Sequence, residues 1–204
     1  MRKKTKLVVG VGINDADYAV NPTVNGRVVV CKFYQTWQNM FVRCYSSKRL
    51  TLNPTYIGCS VSTEWHSFMV FRAWMMTQDW KGKHLDKDLL YAGNKVYSQN
   101  TCVFVSQQLN TLLLNVAAQR GSLPIGVVLH KNRFESRVNK QGKNYNLGGF
   151  KNKMIAHALW QKAKAEIIEL AANEQTDERL KNSLMQRVYK LRDDLLNGRE
   201  TIKL

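Results

Sequence analysis

Two stretches of this 204-residue chain bring charged and titratable side chains close together in sequence. From residue 131 to 153 stand Lys131, Arg133, Arg137, Lys140, Lys143, Lys151 and Lys153, against the single acid Glu135. Guanidinium groups make forked hydrogen bonds to phosphate or to the edge of guanine. Asn144 and Asn146, close by, bring amides of the kind that read base edges. The second stretch is His84-Leu85-Asp86-Lys87-Asp88. Residues two apart share one face of a strand, so alternation aligns His84, whose imidazole titrates near neutrality, with the carboxylates of Asp86 and Asp88. Lys87 falls between them. With an ordinary lysine pKa of about 10.4 it stays protonated at neutral pH, and it acts electrostatically rather than as a base.

These groups need elements to hold them. Ile125, Val127 and Leu129 alternate with Gly126, Val128 and His130, and Phe134 and Val138 alternate with Arg133, Glu135 and Arg137. A period of two predicts strands with one buried face. Gln141-Gly142 turns into a third strand, with Tyr145 and Leu147 expected inward and Asn144 and Asn146 outward. A helical stripe of Ile155, Leu159, Ala163, Ile167 and Leu170 is expected to cover one face of that sheet. The basic side chains then lie on the open face, as a nucleic-acid platform rather than merely a solvated surface. Leu180, Leu184, Val188, Leu191 and Leu195 predict a final amphipathic helix starting near Thr176, with Asp177 and Glu178 at its positive end.

Upstream, Phe33, Trp37, Met40, Phe41 and Cys44 recur at helical steps. A second helix is expected from Ser62 as its cap, with Glu64 in the first turn and Trp65, Phe68, Met69 and Met75 on its buried face. The acidic stretch reads as a strand around His84 to Leu90. A Gly93-Asn94 turn, a strand near Cys102 to Val105 and a helix from Gln107 to Val116 follow. At the N-terminus Lys6 to Val11 and Arg27 to Lys32 alternate like strands, with turns at Asn21-Pro22 and Asn25-Gly26. Gly, Ser and Pro cluster at 121–124, the expected domain boundary.

The formal net charge is +16, from 31 Lys and Arg against 15 Asp and Glu, an excess that points to a polyanionic partner. No apolar run nears the roughly 18 residues of a membrane span, so neither membrane insertion nor an export signal is expected, and the expected location is the cytoplasm. Cys31, Cys44, Cys59 and Cys102 are widely spaced with no C-x-x-C pair. They are expected reduced and mostly buried, without disulfides or structural zinc.

Leu85-Asp86-Lys87-Asp88, Gly93-Asn94, Tyr97-Ser98-Gln99-Asn100-Thr101-Cys102 and Asn110 resemble, in order and spacing, a divergent HNH motif of phage homing endonucleases. The lead-in through Tyr34, Trp37, Arg43-Cys44-Tyr45, Pro54, Tyr56, Gly58 and Trp65 is similar to theirs. The resemblance, over roughly residues 31–118, implies a ββα-metal fold with one Mg²⁺ or Mn²⁺ held by Asp86 on the strand and Asn110 on the helix. It makes Asp88 either a further carboxylate ligand or a salt-bridge partner of a lysine. Lys87 stands where that family places its water-activating histidine. His84 is either a replacement base or a surface histidine beside Lys83, and Asn94 and Asn100 order the loop.

Gly126-Val127, Arg133-Phe134, Ser136-Arg137-Val138, Gly142-Lys143, Leu147-Gly148 and Phe150, with Ala156, Ala158 and Ala163, resemble an AP2-type DNA-binding domain. That resemblance implies a three-stranded sheet laid in the DNA major groove, with Arg133 and Arg137 as first contacts and Lys143, Asn144 and Asn146 beside them.

The expected protein is therefore α+β: an N-terminal arm (1–30), an HNH-like nuclease domain (31–118), an AP2-like domain (119–173) and a C-terminal helix (174–204). Its expected activity is site-directed, metal-dependent cleavage of double-stranded DNA by a monomer or weak dimer. A base-less HNH relative acting as a DNA-binding regulator or phage counter-defence protein is the alternative. An RNA-binding protein is a third reading, disfavoured because the open face is rich in Arg and Asn rather than in stacking aromatics.

Overall fold

The computed structural model describes residues 7–113 and 121–204. The chain forms two compact units, Met1–Val105 and Ser106–Leu204, and mixes helices with short strands. No helix among the described residues is long and apolar enough to cross a membrane.

The first unit is organised by aromatic side chains. Helix α1 (Lys32–Tyr45) buries Trp37, Met40, Phe41 and Cys44, the expected stripe apart from Phe33, which is half-buried. These pack with Trp65, Phe68, Phe71, Met75, Tyr97 and Phe104. The Trp37 indole satisfies its one donor by giving it to the Trp65 carbonyl at 2.8 Å. Helix α2 (Ser47–Leu52) follows, then a short 3-10 turn at Pro54–Tyr56.

The second long helix starts later than expected. Thr63–His66 is a 3-10 turn, and α3 spans Phe68–Met76 with Ser67 as its cap, accepting from the Val70 amide. The reason is an interception by the N-terminal segment. Ile13 donates to the His66 carbonyl at 2.8 Å and accepts from the Phe68 amide at 3.0 Å, so those groups are lost to a continuous helix. Asp15 completes the cap, accepting from the Ser67 hydroxyl and the Met69 amide. The expected strand before it does not form: Val9 and Gly10 adopt positive φ in a tight turn bridged by Val8 and Gly12, and Lys6 lies outside the described residues. Of Arg27 to Lys32 only Arg27–Val28 is strand (β2), pairing with β1 (Thr23–Val24) across the Asn25-Gly26 turn.

Strand β3 (Ser60–Val61) pairs in parallel with β5 (Val96–Tyr97), and β4 (His84–Asp86) pairs antiparallel with β6 (Val103–Val105). Three of the four cysteines are buried and Cys31 half-buried, all as free thiols.

The second unit opens with α4 (Gln107–Leu112), capped by the Ser106 hydroxyl. Residues 114–116 of the expected helix lie outside the described residues. Strands β7 (Val127–His130), β8 (Arg133–Lys140) and β9 (Lys143–Phe150) form an antiparallel sheet in chain order. Both connections are two-residue turns, Lys131-Asn132 and Gln141-Gly142, with positive φ at both positions. Such turns match the twist of the strands they join.

Helix α5 (Lys153–Asn173) covers one face of the sheet, and α6 (Glu178–Leu196) packs on α5. The buried side of α5 is not the expected stripe. Ile155 and Leu170 are exposed, whereas Ala156, His157, Trp160, Gln161, Lys164, Ala165, Ile168 and Ala172 are buried. The helix is packed between two neighbours, and its buried polar side chains are bonded. His157 sits against the Ile125 carbonyl through Nδ1 and accepts the Thr201 amide at Nε2. Gln161 donates to the Arg199 carbonyl and the Thr201 hydroxyl, which in turn donates to Asp194. These bonds strap residues 199–201 against both helices.

Candidate nucleic-acid interface

The candidate side chains of the sheet are placed by strand register. Opposite residues of an antiparallel pair share a face. Val127↔Ser136, Phe134↔Phe150 and Val138↔Tyr145 put one set toward α5. Ser136 and Val138 are buried accordingly. Leu129 and Tyr145 share that parity yet are 56% and 47% exposed, so their expected burial does not occur.

The other face carries His130, Arg133, Glu135, Arg137, Asn139, Asn144 and Asn146. Arg133, Arg137, Asn144 and Asn146 therefore share the open face, as alternation alone suggested. Lys143 does not. It pairs with Lys140 on the helix-side parity, because the Gln141-Gly142 turn leaves the alternation of β8 and β9 in step there.

A bulge keeps the two asparagines outward. Ser136 pairs with Gly148 but Arg137 with Asn146, so Leu147 is the extra residue on β9. The Asn146 side chain closes this irregularity by accepting from the Gly148 amide at 2.9 Å, and Asn144 accepts from Asn139.

The two arginines are held differently. Arg133 donates to the Gly149 carbonyl at 2.7 Å, a neutral partner. Arg137 donates through Nε and Nη2 to one oxygen of Glu135, at 3.0 and 2.7 Å. The other Glu135 oxygen faces His130 Nδ1 at 2.9 Å. The hydrogen bonds from Arg137 and then from His130 hold the Glu135 carboxyl below the usual glutamate range.

Charge is concentrated on this sheet. From residue 131 to 153 there are seven Lys and Arg against one acid, whereas from 154 onward nine face eight, so the helical layer is close to neutral.

The acidic stretch of the first unit is built otherwise. The strand ends at Asp86 instead of running to Leu90, because Asp86 Oδ1 accepts from the amides of Asp88 and Leu89 at 2.9 and 2.7 Å and bends the chain. Asp88 thereby leaves the alternation and does not share the strand face of His84 and Asp86. Lys87 is buried, 6% exposed, with its ammonium 3.1 Å from both Asp88 Oδ2 and the Asn94 carbonyl. The Asn94 amide returns the bond to the Lys87 carbonyl at 2.6 Å and holds the Val96 carbonyl as well. Lys87 and Asn94 thus clamp the 87–94 loop together. Burial, then the neighbouring Asp88, raises the Asp86 pKa, opposed by the two amides.

His84 is exposed on β4, and Asn100 is exposed in the turn before β6. Asn110, half-buried on α4, belongs to the second unit.

One oxygen of Asp86 is engaged by two amides, and an Asp88 oxygen is engaged by an ammonium. Among the described residues no three His, Cys, Asp or Glu side chains group as metal ligands. Burial pushes the Cys44 and Cys102 thiols up to about 12, so both are neutral thiols at physiological pH.

Sequence reasoning missed two features. Glu135 was visible only as a lone acid, although its spacing of two from Arg137 already placed both on one face. The burial of Lys87 had no signal, since nothing in the sequence marks the bend that turns it inward. No protein-family model, no curated protein and no solved structure matches this chain.

Proposed function

We propose that this protein binds double-stranded DNA through the open face of the β7–β9 sheet, and that it does so without cleaving it. The observation that carries the reading is the shared outward register of Arg133, Arg137, Asn144 and Asn146 on a sheet whose opposite face is covered by α5. A three-stranded sheet of this kind presents forked donors and amides to base edges, while flanking lysines meet phosphates. The AP2-like pattern of the sequence supports the same use.

The case against cleavage lies in the acidic loop. Lys87 stands at the position of the expected base, its ammonium is turned inward onto Asp88 and Asn94, and it serves the loop rather than a scissile phosphate.

Binding is tested by titrating a labelled duplex of mixed sequence at physiological salt. The double variant Arg133→Ala with Arg137→Ala is expected to weaken affinity at least about tenfold, the loss of forked contacts. Unchanged affinity in the double variant removes the platform.

A second reading, a metal-dependent endonuclease, is favoured by the order of elements: β4 ending at Asp86, a loop, β6, then α4 carrying Asn110. A plasmid-nicking assay with Mg²⁺ or Mn²⁺ separates the two. Nicking that disappears in Asp86→Ala and Asn110→Ala replaces the binding-only reading; intact plasmid under conditions where the duplex is bound supports it.

A further inference from the structure

We propose that Glu135 is the specificity-setting residue of the sheet face, holding Arg137 for base edges and turning it away from phosphates, while Arg133 supplies sequence-independent affinity. The inference rests on the DNA reading above.

The geometry separates the two arginines. The Glu135 side chain is only 14% exposed, sunk between Arg137 at 46% and His130 at 51%. Both carboxylate oxygens are engaged, one by Arg137 and one by His130. An arginine has five N–H donors in a planar fork. Glu135 takes donors from the Nε–Nη2 edge, so the terminal donors on Nη1 and the remaining one on Nη2 point away from the acid. That end is the one that meets guanine O6 and N7 together.

Three consequences follow for Arg137. Its side chain is already ordered, so less freedom is lost when it engages a base. Its charge is neutralised by an adjacent carboxylate, which reduces its part in counterion release. An approaching phosphate also meets Glu135, a like charge that an uncharged base edge does not repel.

Arg133 is ordered too, but by a neutral group. Its partner is a backbone carbonyl, so it keeps its full charge toward the polyanion. His130 fixes the second oxygen of Glu135 and keeps the acid from swinging off the face. No other Asp or Glu lies between residues 131 and 153 to share the task.

The test uses the full chain and a pool of duplexes with a randomised central segment. Affinity for the unselected pool is measured at several salt concentrations, and the bound fraction is then sequenced over selection rounds. Glu135→Gln keeps the side-chain shape and removes the charge. It is expected to bind the unselected pool about fivefold more tightly with a steeper salt dependence, and to select a flatter sequence motif. Arg133→Ala is expected to lose about tenfold in pool affinity and to select the wild-type motif. Arg137→Ala is expected to lose the motif at one base position while changing pool affinity little. Glu135→Ala, with a melting curve beside it, shows that any change is not unfolding.

Pool affinity in Glu135→Gln that is unchanged or weaker overturns the proposal, as does selection of the wild-type motif. A wild-type protein that binds no duplex overturns the DNA reading itself. A wild type that binds while Glu135→Gln behaves identically overturns the role of Glu135 alone.

Discussion

The acidic loop of the first unit and the basic sheet of the second both contain a carboxylate beside a cation, and they use the pair in opposite directions. In the loop the lysine is the sunken member: Lys87 is buried and Asp88 stands outside it. On the sheet the acid is sunken and the guanidinium stands outside. A buried ammonium with its partners fixed by the chain is a structural tie, whereas an exposed guanidinium oriented by a sunken acid is still available to something else. Residue type alone does not separate the two cases. Which partner faces water does.

Four substitutions test that contrast. The largest effect is expected at Gly126, which has φ +77° and whose added Cβ would stand 2.0 Å from the Trp160 ring. Gly126→Ala should destabilise the second unit by about 3 kcal/mol or more, read as a lowered melting temperature with loss of duplex binding.

Next, Lys87→Met leaves the Asp88 carboxylate and the Asn94 carbonyl without their buried donor. It should lower the stability of the first unit by about 2–3 kcal/mol while leaving duplex affinity unchanged. If binding falls and melting does not, Lys87 is a ligand contact and the contrast is lost.

Third comes Lys164, whose ammonium donates to the Leu112 carbonyl at 2.5 Å and whose pKa burial lowers to about 8. Its folded value lies below the unfolded one, so between about pH 8 and about pH 10.5 the unfolded chain holds a proton that the folded chain has released. Stability contributed by this site therefore rises with pH through that window. Relative to Lys164→Met, the wild type should gain on the order of 2 kcal/mol across it, measured by denaturant melts at matched ionic strength.

The smallest effect belongs to Lys143→Ala. Because Lys143 lies on the helix-side parity, duplex affinity should change by less than about twofold. A tenfold loss would show that the interface wraps the end of the sheet.

Much of the second unit was legible because its signals are local. Gln141 and Gly142 sit in a two-residue turn, Phe134 to Val138 alternates, and Asp177 caps α6, each a choice made by neighbours in sequence. The stripe of α5 was not legible, since pattern reading counts apolar residues and the buried side includes His157, Gln161 and Lys164, which are buried because distant groups bond them. The start of α3 depended on Ile13, more than fifty residues away, taking the His66 and Phe68 backbone groups. At the sheet, outward register predicted which side chains share the face; the pairing of Arg137 with Glu135 needed rotamers that alternation does not specify. In the acidic stretch a single carboxylate bonding two amides ended a strand and reversed the exposure of the next residue.

The close approach at Gly126 has an optical consequence. Trp160 is the only tryptophan after residue 80, so in the second unit it is the sole indole chromophore. Its ring lies against the glycine whose carbonyl accepts the Arg137 amide at 2.7 Å. A ligand that shifts the backbone at Arg137 therefore shifts the surroundings of an indole on the far side of the sheet. With the four tryptophans of the first unit replaced by phenylalanine, emission from Trp160 becomes a label-free gauge of occupancy on a face it does not touch.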